Sequence, residues 1–347
     1  MLRTIFNKIL SSGVKGEPQK FIADMNCWVM GRRLIDFVDF DDIKLFMYKN
    51  DNIYDNFIDD RRKNYPLREF LRGVREKGYP RPEINRDTIS AIQSCRHLIY
   101  LIMKHLWDVG EEFTVLDVGC HVGLFGLKLA SVIREFGKDN EVICFDIGEA
   151  SELMPYNIKV NGLEKWVTFE KLAISDVSGP AIVYARQGHT DTNNIIWKLD
   201  DSYSYLAEGI TISEYIKEHK LSGPFMIKLD VEGLEFEIIE EIKSLIDSDI
   251  VVLIFEFSSE RVRDKDFFYS IFGYLFRNYY LFDIYYVLSP SMAVPICEAD
   301  ENSFFKDVLQ RPYRYTDVLG IPKKLDGVKR LGEGLESLET LERTYKI

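Results

Sequence analysis

From Thr114 onward, short apolar runs alternate with segments whose apolar residues recur at helical spacing. The runs at 114–117, 141–146, 167–172, 225–230 and 250–256 predict strands, and the stretches 124–136, 150–161, 211–219 and 234–246 predict the helices between them. Two later β-rich runs, YYLFDIYYV and YTDVLGIP, supply the final strands. Several strands are apolar on both faces, so the sheet must be covered on both sides; the fold class is α/β, a doubly wound, mostly parallel, seven-stranded sheet. Upstream, Asp87 can cap a helix from Thr88 to about Trp107 that carries Ile89, Ile92, Leu98 and Leu101. Leu67, Phe70, Leu71 and Val74 also fall at helical spacing, which makes the basic residues around them a solvated face. The pattern divides the chain into an N-terminal addition (1–86), a main domain (87–323) and a C-terminal helix or tail (324–347) with Leu331, Leu335 and Leu338 at helical spacing. No internal repeat and no low-complexity segment interrupts it.

Composition narrows the partners. The balance of 44 basic and 56 acidic residues leaves a net charge of -12, which repels phosphate backbones and anionic lipid and argues against nucleic acid as a partner. The five cysteines, at 27, 95, 120, 144 and 297, are scattered without metal-ligand spacing, as expected of reduced thiols in a cytoplasmic protein. No apolar run approaches the length of a transmembrane helix, and the start MLRTIFNKILSSG lacks a continuous signal-peptide core.

The stretch TVLDVGCHVGLFGL carries the first candidate chemistry. In a doubly wound sheet a ligand sits beyond the carboxyl ends of the strands, so the loop after the first strand is where a cofactor is expected. Gly119 and Gly123 let backbone approach it, and Gly126 lets the following helix pack on the strand. A dinucleotide site requires G-x-G-x-x-G, whereas the spacing here is G-x-x-x-G-x-x-G after an acid. Asp117 would repel a diphosphate and attract the ammonium of an amino acid. A ligand with an amino-acid end and a nucleoside end fits, which is S-adenosylmethionine. The second strand, EVICFD, ends in Asp146 where a ribose would offer two hydroxyls to a carboxylate, although an acid there also serves as a helix cap. The LAISD segment, with Ala173 and Asp176, then lies along the adenine edge.

With these residues in place the chain resembles the FkbM family of class I S-adenosylmethionine-dependent methyltransferases. The resemblance rests on LDVGCHVGLFG, the acid closing EVICFD, NIKVNGL, LAISDVSG, and IKLDVEGLEFEII followed by LIFEF, over roughly residues 113 to 257, with YTDVLGIP similar to the closing strand. It implies a Rossmann-like methyltransferase fold and a cofactor seat that includes Asp117, Gly119, His121, Gly123 and Asp146. Cys120 and His121 stand where the family usually has small or amide residues, Asp146 replaces the commoner glutamate, and the proline usual after that acid is missing.

In FMIKLDVEGLEFE, strand alternation puts Met226, Lys228 and Asp230 on one face and Phe225, Ile227 and Leu229 on the other. A lysine within such a strand requires a partner, and Glu232 or Glu235 at the start of the next helix can reach back to supply it. Asp230 ends the strand facing the cleft, as catalytic base or metal ligand. Glu256 ends the neighbouring strand in the same way, as a catalytic group or a buried cap. His189, in the polar run RQGHTDTNN, is a further catalytic candidate, against the plainer reading of a surface loop histidine. Hydroxyl methylation needs help with proton removal, from a carboxylate, a histidine or a divalent cation such as Mg2+. The family resemblance, not the spacing, implies oxygen on a glycan or small-molecule metabolite as the methyl acceptor. Two alternatives stand beside it. One is an NAD-dependent sugar-modifying oxidoreductase, which the glycine spacing opposes; the other is a non-catalytic binding subunit that retains the fold. Homo-oligomer formation is left open.

Overall fold

The computed structural model describes residues 35–40, 43–48, 102–108, 110, 112–186, 189–196, 202–258, 261–284, 294–296, 301–310 and 315–325. The helix expected at 67–74, the part before residue 102 of the helix expected from Thr88 to about Trp107, and the C-terminal segment around Leu331–Leu338 lie outside the described residues, whereas 102–108 are helical. So does the expected boundary at 86/87.

A hairpin of β1 (Ile35–Phe40) and β2 (Ile43–Tyr48) precedes the main sheet. The strands expected from the apolar runs are β3 (Thr114–Val118), β4 (Val142–Phe145), β5 (Val167–Glu170), β10 (Phe225–Leu229), β11 (Val251–Ser258), β12 (Tyr279–Asp283) and β14 (Tyr315–Pro322). They form one sheet in the order β13-β12-β14-β11-β10-β3-β4-β5, in which β13 (Val294–Ile296) is a three-residue edge strand beyond the expected seven. The pairings from β5 through β4, β3 and β10 to β11 are parallel; β14 enters antiparallel between β11 and β12.

Side-chain alternation divides the core into two layers. Val115, Val142, Met226, Val252 and Ile254 pack under α1 (Leu124–Glu135) and α2 (Met154–Val160), with Ile43, Leu45 and Met47 of the hairpin. Leu116, Ile143, Phe225, Ile227, Leu253 and Phe255 face α3 (Ile212–His219), α4 (Glu235–Glu241) and α6 (Lys265–Asn278), with a short α5 (Lys243–Ser248) following α4. The aromatic run on α6 belongs to this layer: Phe268 and Phe272 are buried, and Tyr269 faces out. The helix expected over 150–161 opens as a 3-10 turn at Glu149–Leu153, and α2 begins where Pro155 supplies a backbone angle suited to a first helical turn.

The segment 173–210, for most of which the hydrophobic pattern predicts no element, contains strand. β6 (Ala173–Ile174), β7 (Gly179–Arg186), β8 (His189–Asn194) and β9 (Tyr203–Ile210) form a second sheet in the order β6-β9-β7-β8. β8 consists entirely of polar residues, which hides the apolar alternation that identifies a strand.

Asn157 on α2, within NIKVNGL, joins the hairpin to this domain. Its Oδ1 accepts from Phe46 N at 2.6 Å, and its Nδ2 donates to Val122 O at 2.9 Å and Phe46 O at 3.3 Å, all in a side chain with no exposure. Asn157→Ala strands these backbone groups in the core and should lower stability by about 2 kcal/mol or more. Urea denaturation of the two proteins measures it; equal midpoints would mean that the hairpin is held by apolar contact alone.

Candidate active site

After β3 the chain winds outward to β4 and β5, and on its return lays β10 on the other side of β3. The carboxyl ends of β3 and β10 therefore flank the switch point where such sheets bind ligands. The glycine loop lies there, with Gly119 N and Cys120 N donating to Phe145 O at 2.9 and 3.0 Å. Gly119 has φ 77°, and a Cβ on it would overlap the Asp230 carbonyl oxygen. Gly123, at φ 89°, caps α1 where a Cβ would overlap Met154 Sδ. A Cβ on Gly126 would press on Cys144 Sγ and Asp117 Oδ2. The bare backbone thus lets the loop close onto β10 and α1 onto β3, a packing role beside the ligand clearance expected of Gly119 and Gly123.

Asp117 is fully buried at the end of β3. Its Oδ2 accepts from Gly126 N at 2.9 Å, whereas its Oδ1 is buried without a partner. Burial lifts its carboxyl to about 6, against the opposing attraction of Lys228. Asp146 is held by backbone on both oxygens: His121 N donates to Oδ2 at 2.7 Å and Gly148 N to Oδ1 at 2.6 Å. His121 reaches this bond with φ 53°, a left-handed conformation that few residues other than glycine adopt. Asp117, Gly119, His121, Gly123 and Asp146 thus converge around the ends of β3 and β4. Ala173 lies in β6, and Asp176 follows it as an exposed residue that accepts from Ser175 Oγ at 3.0 Å.

The second constellation gathers at the ends of β10, β11 and β14. Lys228 is buried opposite Asp117 in the strand register, and its ammonium pairs with Asp230 Oδ2 at 2.8 Å. The expected partners, Glu232 and Glu235, are engaged elsewhere. Glu232, at φ 60°, turns its carboxylate to Arg261, while Glu235 Oε1 accepts from Val231 N and Gly233 N at 3.0 and 3.2 Å, closing the turn into α4. Arg261 also meets Glu256 Oε2 at 3.4 Å. Glu256 is opposite Asp317 of β14 in the register. Sequence reasoning missed both Arg261 and Asp317: Arg261 lies outside every quoted motif, and Asp317 is the one acid inside YTDVLGIP, which was read only as a strand.

Burial would raise the Asp230 carboxyl, but Lys228 beside it holds it below the usual range. Burial likewise opposes the Lys228 ammonium, and Asp230 and Asp117 outweigh it to keep the proton on. Glu256 goes the other way, pushed well up by burial and then by the Glu232 charge, and burial lifts Asp317 to about 7. Among the described residues, ligand atoms of Asp230, Glu232 and Glu256 lie within 4.8 Å of one another, close enough to hold a cation. His189 falls on β8, and its side chain lies outside the described residues.

Residues 138–282, which include β4, β5, β10 and β11, match the family model described as the methyltransferase FkbM domain. Over that stretch, which is less than half of its length, the chain is similar to FkbM methyltransferases. A second model, described as lysine methyltransferase, matches residues 89–182 and ends before β10. No curated protein sequence matches the chain. Among solved structures, WbdD is 16% identical, with 65% of this chain and 40% of that one covered and a TM-score of 0.32. The chain therefore spans less than half of WbdD's length. An O-methyltransferase family protein from Burkholderia thailandensis is 11% identical, covering 79% and 63% of the two chains with a TM-score of 0.28. The S-adenosylmethionine-dependent methyltransferase SibL is 15% identical, covering 78% and 73% with a TM-score of 0.25. Similarities this low identify neither acceptor nor chemistry. No helix among the described residues is long and apolar enough to cross a membrane.

The raised Asp117 carboxyl makes stability depend on pH. Unfolded it ionises near its ordinary 3.8, and folded near 6. The folded chain binds the extra proton between those values, so this group's contribution falls as pH rises from about 4 to 6, by about 3 kcal/mol. Asp117→Asn should remove that loss. In cofactor-free protein, urea midpoints at pH 4.5 and 7.5 should shift against wild type at the higher pH relative to the variant; parallel shifts would show that Asp117 stays charged when folded.

Proposed function

We propose that the chain is an FkbM-type methyltransferase that takes a methyl group from S-adenosylmethionine and places it on a hydroxyl oxygen of a glycan or small-molecule metabolite, with Asp230 as the catalytic carboxylate. The position of Asp230 carries this reading: it is an ionised carboxylate at the end of β10, 22% exposed, on the acceptor side of the switch point. When bound, S-adenosylmethionine supplies an electrophilic methyl carbon on a cationic sulfur. The residues present fit that group, since the orphaned, buried Oδ1 of Asp117 is suited to its ammonium and the oxygens of Asp146 retain lone pairs for ribose hydroxyls. Gly119, His121 and Gly123 form the loop between those acids, and Ala173 and Asp176 would flank the base.

Asp230 receives a hydrogen bond from the acceptor hydroxyl and aims its oxygen at the methyl carbon. A hydroxyl oxygen that took up the methyl group would gain positive charge, and its proton would become acidic. A carboxylate of low pKa is then sufficient to accept that proton. Lys228 keeps Asp230 ionised for this task, and Glu256, whose carboxyl burial pushes up, lies beside it. Arg261 already neutralises Glu232 and Glu256, which favours direct proton acceptance over a Mg2+ ion among the three carboxylates. His189 remains the alternative base.

Two substitutions separate the cofactor half from the acceptor half. Asp146→Ala should weaken S-adenosylhomocysteine binding roughly tenfold or more in calorimetry, the scale of a charge-assisted hydrogen bond. Asp230→Asn should leave that affinity intact and lower turnover by roughly 10² to 10⁴ on an acceptor found by a product-mass screen of glycans and metabolites. Wild-type protein that binds no S-adenosylhomocysteine at high micromolar concentration would sink the cofactor assignment. Normal turnover by Asp230→Asn would move the base to Glu256 or His189.

A further inference from the structure

Among the described residues, the second sheet meets the loop that carries Asp146 through a polar contact. The Tyr205 hydroxyl, projecting from β9, donates to Ile147 O at 2.9 Å. Ile147 C=O and Gly148 N–H belong to a single peptide group, and that N–H is the donor to Asp146 Oδ1 at 2.6 Å. In a trans peptide the two groups point in opposite directions. Tyr205 and the Asp146 carboxylate therefore grip one peptide plane from its two sides, in a continuous chain from phenol to carbonyl to amide to carboxylate. Such chains polarise each member, so the phenol donor strengthens the amide's hold on the carboxylate.

The surroundings fix the same plane in no equivalent way. Ser151 Oγ and Ser151 N close the next turn on Gly148 O, at 2.6 and 3.2 Å, and His121 N fixes the other oxygen of Asp146 at 2.7 Å. The Tyr205 ring is half-buried and stacks with Tyr203 at 6.3 Å between centroids and 29° between planes, which limits its rotation. Burial, followed by the nearby Asp146 charge, pushes its phenol above the ordinary range, so it stays an O–H donor across neutral pH.

We infer that Tyr205 is a positioning residue: through the Ile147–Gly148 peptide it sets the orientation of the Asp146 carboxylate and thereby the affinity for the nucleoside end of the cofactor. The inference rests on the assignment of Asp146 to the ribose. It also gives the second sheet a role at the cofactor site, distinct from contact with the acceptor.

A double-mutant cycle tests it, using full-length protein, calorimetry with S-adenosylhomocysteine, and melting without ligand. Tyr205→Phe keeps the ring and removes the donor; it should weaken binding about fivefold, the scale of one neutral hydrogen bond. In the Asp146→Ala background the same change should have no further effect, because nothing is left to orient. The kcat at saturating cofactor should be unchanged in Tyr205→Phe while KM for the cofactor rises. If Tyr205→Phe binds as wild type while Asp146→Ala is weakened, the positioning role is wrong and the ribose assignment stands. If Asp146→Ala itself binds as wild type, the ribose assignment fails. An equal loss from Tyr205→Phe in both backgrounds, through lower melting temperature or through direct contact, overturns the inference.

Discussion

An ammonium group buried in the middle of the parallel sheet governs the charge of everything around it. Lys228 is 7% exposed, and two carboxyls answer it: Asp230 at 2.8 Å, and Asp117 across the β3–β10 register. Removing one partner of such a pair leaves an uncompensated buried charge, at a cost of about 3 to 5 kcal/mol. The pairing also joins the ends of the two strands that border the switch point, so ligand site and sheet centre share the same support. Beyond Lys228, Arg261 is the cation bound into this cluster, shared by Glu232 and Glu256. The acids outnumber these cations, and the raised carboxyls of Asp117, Glu256 and Asp317 follow from that imbalance as well as from burial.

The parallel core was legible because its strands are apolar on both faces and its helices carry a clear period. The same reasoning missed β1, β2 and the second sheet. β8, HTDTNN, contains no apolar residue, and β9 exposes Tyr203 and Leu206, so neither follows the pattern of a half-buried strand. On the site side, Asp117, Asp146 and Asp230 were legible as candidates because Asp117 lies one residue before the end of β3 and Asp146 and Asp230 directly follow β4 and β10. The partner of Lys228 was misassigned: Glu232 and Glu235 lie within reach on an ideal helix, but the helix starts only at Glu235, and the left-handed turn at Glu232 sends that side chain toward Arg261 instead. Arg261, five residues beyond Glu256, binds both Glu232 and Glu256, and Tyr205 reaches Ile147 from a strand distant in sequence; no local pattern encodes either contact.

The glycine loop shows how a motif answers two demands at once. At Gly119 a side chain would strike the Asp230 carbonyl, and at Gly126 it would strike Cys144 and Asp117. The protein's own backbone and side chains fill the positions that a ligand-centred reading would leave clear. Close packing of the loop aligns the backbone donors of His121 and Gly126 on the two acids. The tight turn is therefore what places the carboxylates, as well as what admits a cofactor.

The strand that completes the acidic cluster arrives late in the chain. β14 inserts between β11 and β12 and brings Asp317 beside Glu256, although some fifty residues of sequence separate it from β11. While the polypeptide is still being made, β11 has an unpaired edge and Glu256 is bordered by water rather than by strand. Solvated carboxyls ionise readily, so the burial that displaces Glu256 and Asp317 owes part of its effect to the pairing of β14 with β11. Residues 315–322 thus complete the surroundings of Glu256 from a distant part of the chain.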